Sequence, residues 1–143
     1  MLDYYSAYKE IDHLYGKLAA KSGLSDSAFW VLYSICEHDG NCTQKGICEQ
    51  WSYSKQTVNS SLKVLENRGL IKLIAANSSK KSKHILLTEA GEAFAKEKVD
   101  VIFAMERSIF EKMNSSERQA LLLSTRKYLE LFREEMHLLP EIS

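Results

Sequence analysis

Gln56, Asn59, Ser60 and Lys63 lie opposite an apolar stripe in the stretch SKQTVNSSLKVLENRG, residues 54–69, where Val58, Leu62 and Leu65 follow one another at i, i+4 and i+7. This is the pattern of a helix with one bare polar face. Glutamine and asparagine can each make a pair of hydrogen bonds to an adenine edge, so Gln56 and Asn59 are candidate base readers. Lys55 and Lys63 suit phosphate oxygens. Ser60 and Ser61 are indifferent helix formers; their small size fits a helix whose backbone must come close to a groove. An ordinary amphipathic surface helix also has a solvated polar face, so the flanking segments have to decide between the two readings.

Ser54 is a good N-cap, its hydroxyl able to accept from an otherwise unpaired amide. Gly69 stands where a helix closes in a left-handed residue. Upstream, Thr43 caps a short helix with Ile47 and Trp51 on one side. Trp51 is expected to anchor this helix to the next, and Ser52-Tyr53 to form the turn, with Tyr53 as a buried plug or, through its hydroxyl, a phosphate contact, the plug being favoured. Downstream, residues 70–74 and 84–87 are rich in strand formers, and the polar run 77–83 between them carries Lys80, Lys81 and Lys83. A helix, a turn, a second helix and a hairpin with a basic tip make a winged helix-turn-helix, an arrangement that presents side chains to the DNA major groove.

Charge follows the same division. The chain is neutral, with 19 basic and 19 acidic residues. Residues 43–87 nevertheless hold eight Lys/Arg and two Glu, a net +6, which leaves the remainder at −6. Positive charge gathered on one segment is an electrostatic footprint for a polyanion.

At 143 residues the chain has the length of one domain with a real core. No apolar stretch approaches the roughly 18 residues of a membrane span. The tyrosine-rich, acidic N-terminus is expected to be a helix and no signal peptide. Three cysteines without framework spacing fit a reducing cytoplasm. Terminal helices carry Tyr4, Tyr8, Ile11, Tyr15 and Leu18 at one end and Leu121, Tyr128, Leu129, Phe132 and Met136 at the other, with Leu122, Leu123 and Leu131 off the main stripe. This exceeds what a small winged domain buries alone and implies a partner subunit. A two-fold dimer would set two such helices about 34 Å apart, one DNA turn, over a near-palindromic site.

The residues SKQTVNSSLKVLENRGLI (54–71) and LLTEAGEAF (86–94) are similar to the recognition helix with its closing L-E-x-R-G-L, and to the L-T-x-x-G at the wing exit, of the MarR family of bacterial transcriptional regulators. The expected fold class is mainly α with a small β-hairpin wing (α+β). One MarR-like domain, 1–143, would carry dimerisation helices at 1–22 and 112–143. A DNA-binding lobe would span 25–90, with the helix-turn-helix at 43–69 and the wing at 70–88, and one long connecting helix would span 89–113. The resemblance implies a homodimer, more often a repressor. Its operator contacts would come from Gln56, Thr57, Asn59, Ser60 and Lys63, with Ser54 and Lys55 at the helix start and Lys80, Lys81 and Lys83 on the wing. The wing departs from the family by lacking its Asp-x-Arg pair. Lysine is a point charge and not a planar fork, so arginine readout of the minor groove does not carry over.

The resemblance also implies relief by a small aromatic or lipophilic effector, for which His13, Tyr15, Trp30 and Tyr33 are of the right type; each also suits a core or interface position. Cys36, His38, Asp39, Cys42 and Cys48 are metal-ligand types, but Cys36 and His38 point to opposite sides of a helix and the spacing matches no closed zinc site. A redox role would need an exposed thiol of lowered pKa. Cys42 is the best placed for it, whereas Cys36 and Cys48 read as small core residues. No nucleophile, acid or glycine-rich phosphate motif points to an enzyme, and no cofactor is implied. Besides a DNA-binding regulator, the alternatives are a metal- or redox-responsive regulator using Cys36, His38 and Cys42, and a winged helix that contacts protein without DNA.

Overall fold

Five helices open on side-chain caps of the kind the sequence offers. In the computed structural model, which describes residues 1–39, 42–75 and 83–141, Ser25, Thr43, Ser54, Thr88 and Asn114 each accept from a backbone amide three residues on. Asn114 and Glu117 complete a reciprocal capping box with two bonds of 2.9 Å. The elements run α1 (Leu2–Lys21), α2 (Asp26–Glu37), β1 (Cys42–Thr43), α3 (Gln44–Trp51), α4 (Lys55–Asn67), β2 (Ile71–Ala75), β3 (Lys83–Leu87), α5 (Glu89–Lys98), α6 (Asp100–Lys112) and α7 (Ser115–Leu138).

The expected hairpin is present as β2 and β3, antiparallel with Leu73 opposite Ile85. A third strand joins it: β1 pairs with β3 through Cys42 opposite Ile85 and Thr43 opposite His84, so the sheet order is β1-β3-β2. Two residues are too few to show a period of two, which is why β1 is invisible in the sequence.

The chain divides into two compact units, residues 1–102 and 103–143. The core of the first is built around α2, whose residues from Ala28 through Ile35 are all buried, as a helix apolar on nearly every side must be. Phe29, Leu32 and Ile35 are fully buried, as are Ile47 of α3, Val58 and Leu65 of α4, Ile85 of β3 and Val99. In α1 only Ala19 is buried, while Tyr4, Tyr5, Tyr8, Ile11 and Leu14 stay exposed. The second unit holds α7, which has no buried residue along its length.

Instead of one helix over 89–113, the structure has two. Val99 is fully buried between them, with Ile102 N–H turning back to Val99 O at 2.9 Å. Neither glycine nor proline marks that break. Among the described residues no helix is long and apolar enough to cross a membrane.

Candidate nucleic-acid interface

The polar face of α4 is open. Lys55, Gln56, Asn59, Ser60 and Lys63 are all exposed, while Val58, Leu62 and Leu65 are buried. Gln56, Asn59, Ser60 and Lys63 stand at i, i+3, i+4 and i+7, one continuous face. Two residues depart from the sequence expectation. Ser61 is 3% exposed and faces the core, so it is small to fit under the helix rather than to clear a groove. Thr57 is half-buried and its hydroxyl accepts from Ser54 Oγ at 2.8 Å, so it belongs to the cap. Ser54 itself is extended, with φ −65° and ψ 151°, and receives Thr57 N–H at 3.1 Å. Lys83 is exposed at the start of β3. Lys80 and Lys81 lie outside the described residues.

One attachment that positions α4 is to α3. Ser52 ends α3 in the left-handed region, φ 53°, and reverses the chain. Gln44, the first residue of α3, donates from Nε2 to Lys55 O at 3.3 Å and ties the starts of the two helices together. Behind α3, Ser34 donates to Gln50 Oε1 at 2.8 Å and Gln50 Nε2 donates to Glu37 Oε2 at 2.9 Å, which binds α3 to α2. Sequence reading missed Gln44, Ser34 and Gln50, because a single amide or hydroxyl on a helix carries no periodic signal.

Under the turn is an aromatic cluster. Trp51 stacks on Trp30 at 5.5 Å and on Tyr53 at 6.4 Å, with Tyr33 edge-on to both tryptophans. Tyr15 and Phe29 meet Trp30 edge-on at 5.4 and 5.0 Å. Trp51 therefore packs α3 against α2, where the sequence pattern has it joining α3 to α4, and Tyr53 is a half-buried plug against it. Burial, with Asp26 and Asp12 nearby, pushes the Tyr53 phenol up. Trp30 Nε1 donates to Asp26 Oδ1 at 3.3 Å, whereas Trp51 Nε1 is buried with no hydrogen-bond partner among the described residues. Of the four effector candidates, Tyr15, Trp30 and Tyr33 come together here; His13 is exposed on α1.

The cysteines fall in a different order from the one expected. Cys42 is buried in β1, while Cys36 and Cys48 are intermediate. Burial, followed by the nearby Asp100 carboxylate, pushes the Cys36 thiol up to about 12, and burial alone pushes Cys42 up to about 11. Both remain protonated near neutrality, the reverse of what a thiolate sensor requires. Among the described residues no three His, Cys, Asp or Glu gather as a metal site, so Cys36, His38 and Cys42 do not form one.

Comparison with known proteins agrees with this geometry. A model of the MarR family matches residues 22–81. The chain is 26% identical over 93 residues to the uncharacterised HTH-type transcriptional regulator YwhA of Bacillus subtilis (strain 168), covering 65% of this chain and 66% of that one. Its structure is similar to NMB1585, a MarR family regulator from Neisseria meningitidis, with TM-score 0.80, 24% identity and 94% of each chain covered. It is also similar to MepR of S. aureus in a DNA complex, with TM-score 0.72, 19% identity, and 90% of this chain and 97% of that one covered. A third similar fold is Staphylococcus aureus MarR in complex with salicylate and kanamycin, with TM-score 0.68, 17% identity, and 93% and 89% covered.

Proposed function

We propose that this chain is a member of the MarR family, whose model matches residues 22–81, and that it is a cytoplasmic transcriptional regulator that binds double-stranded DNA as a homodimer and represses from a near-palindromic operator. One observation carries the reading: Gln56, Asn59, Ser60 and Lys63 form an exposed polar face on a capped helix held out by a turn. Gln56 and Asn59 read base edges in the major groove. Lys55 and Lys63, with Lys83 and the other wing lysines, meet phosphates. A similar fold has been solved on DNA, which supports this use of the helix.

The homodimer reading rests on α1 and α7, whose exposed tyrosines, leucines and Phe132 are buried against a second copy. An aromatic or lipophilic effector acts at the cluster of Tyr15, Trp30 and Tyr33; a similar fold holding salicylate supports that chemistry.

The test is binding of the purified protein to the intergenic duplex upstream of its own coding sequence, and to a scrambled duplex, at two salt concentrations. Tighter binding to the intergenic duplex at one dimer per site is expected. It should weaken steeply with salt, because each phosphate contact releases counterions. Equal, salt-insensitive binding to both duplexes would instead favour a winged helix that contacts protein.

A further inference from the structure

We propose that the root of the wing is a joint that sets the tilt of α4, and with it base discrimination, and that Thr88, Gly91, Arg68 and Phe94 are its positioning residues; this rests on the DNA-reading function proposed above. The recognition helix closes rigidly. Gly69 lies at φ +71° and donates to Glu66 O at 2.9 Å, and Leu70 donates to Leu65 O at 3.0 Å. This doubly bonded left-handed closure fixes the direction in which the chain leaves the helix.

The next two carbonyls are both held by one residue. Thr88 Oγ1 donates to Gly69 O at 2.5 Å, and Thr88 N–H donates to Leu70 O at 3.0 Å. The same hydroxyl accepts from Gly91 N–H at 3.0 Å, which caps α5. A threonine hydroxyl has one proton to give and lone pairs to receive. Here both capacities are used, one on the end of α4 and the other on the start of α5.

Gly91 brings the two elements backbone to backbone. A Cβ at that position would lie 1.8 Å from Leu70 O and 2.8 Å from Leu70 C, atoms that have no freedom to swing aside. A third strap lies beside the first two: the Arg68 guanidinium sits over the Phe94 ring, 5.6 Å from its centroid, and joins the C-cap of α4 to the next turn of α5. At its other end α4 is tied by the exposed Gln44–Lys55 bond.

Helix geometry makes this joint a lever. Gln56 is thirteen residues from Gly69, about 20 Å along the axis. A tilt of about 5° at the joint therefore moves it by about 1.7 Å, beyond the roughly 0.5 Å range of hydrogen-bond lengths. Flexible lysines can follow a phosphate over that distance, whereas a paired amide–base contact cannot. The joint thus governs discrimination between sequences and leaves general affinity for DNA alone.

The probes are a duplex that the wild-type protein selects from a randomised pool and a scrambled duplex of the same composition. Thr88→Val should lower the selected-to-scrambled affinity ratio about tenfold, the size of one lost base contact. Affinity for the scrambled duplex and the salt slope should stay unchanged. Thr88→Ser, which keeps the hydroxyl, should restore the ratio, and Phe94→Leu should lower it about threefold, the size of a partly exposed cation–π contact. A folded Thr88→Val protein with the wild-type ratio overturns the joint. If that variant does not fold, an unchanged ratio in Phe94→Leu overturns it instead. Equal loss on both duplexes also overturns it, because that is the signature of a merely weakened fold. A wild-type protein that selects no duplex brings down the DNA-reading function itself, an outcome distinct from failure of the joint.

Discussion

Two helices of this molecule, α2 of the first unit and α7 of the second, use apolar residues in opposite ways. In α2, Phe29, Val31, Leu32 and Ile35 are fully buried by their own chain. In α7, Leu121, Leu122, Leu123, Leu129, Phe132 and Met136 are all exposed. Exposed apolar residues in this number along one helix suit an interaction site. The core around α2 is closed by one polypeptide, while the apolar residues of α7 are left uncovered by it. On the proposed function, reading DNA and finding a partner fall to different parts of the chain and can be broken separately.

The largest effect should come from Phe132→Asp. Two-fold symmetry places that charge in the interface twice, so the dimer should lose about 4 kcal/mol or more and sediment as a monomer with its helical content retained. A variant that stays dimeric would remove α7 from the interface. Leu65→Ala tests the other region. It opens a cavity in a closed core and should cost about 2–5 kcal/mol in urea denaturation. Val64→Ala, its exposed neighbour on α4, should stay within about 0.5 kcal/mol.

On the reading face, Asn59→Ala should cost about 1–3 kcal/mol of specific affinity without lowering the melting temperature. Lys63→Ala should weaken binding to every sequence alike and flatten the salt slope by about 1. The smallest effect concerns Cys36. Its folded pKa of about 12 lies above the ordinary value of 9.0. The folded state therefore keeps a proton that the unfolded state gives up, and stability falls as pH rises from about 9 to about 12. Cys36→Ala should remove that part of the alkaline loss, and the native thiol should resist alkylation at neutral pH.

Much of the lobe was legible because its signals are local. Ser54, Thr43, Thr88 and the Asn114–Glu117 pair announce helix starts by chemistry that acts within four residues, and Gly69 announces a stop in the same way. The face of Gln56, Asn59, Ser60 and Lys63 follows from periodicity alone. What escaped is tertiary. The burial of Ser61 depends on what packs beneath α4. The pairing of β1 depends on a strand forty residues away. The break at Val99 follows no turn residue. The burial of Cys42 escaped because a thiol gives no sign of which side of an element meets the core.

Thr43 closes β1 and is at once the cap of α3, its hydroxyl receiving Gly46 N–H at 3.1 Å. No linker separates the sheet from the helix-turn-helix at this point. Most connections between elements absorb an inserted or deleted residue at little cost. Here a single added residue would either slip Cys42 off Ile85 or strip α3 of its cap. Natural variation in length should therefore avoid this junction, and a designer regrafting the wing should carry Thr43 across with both neighbours intact.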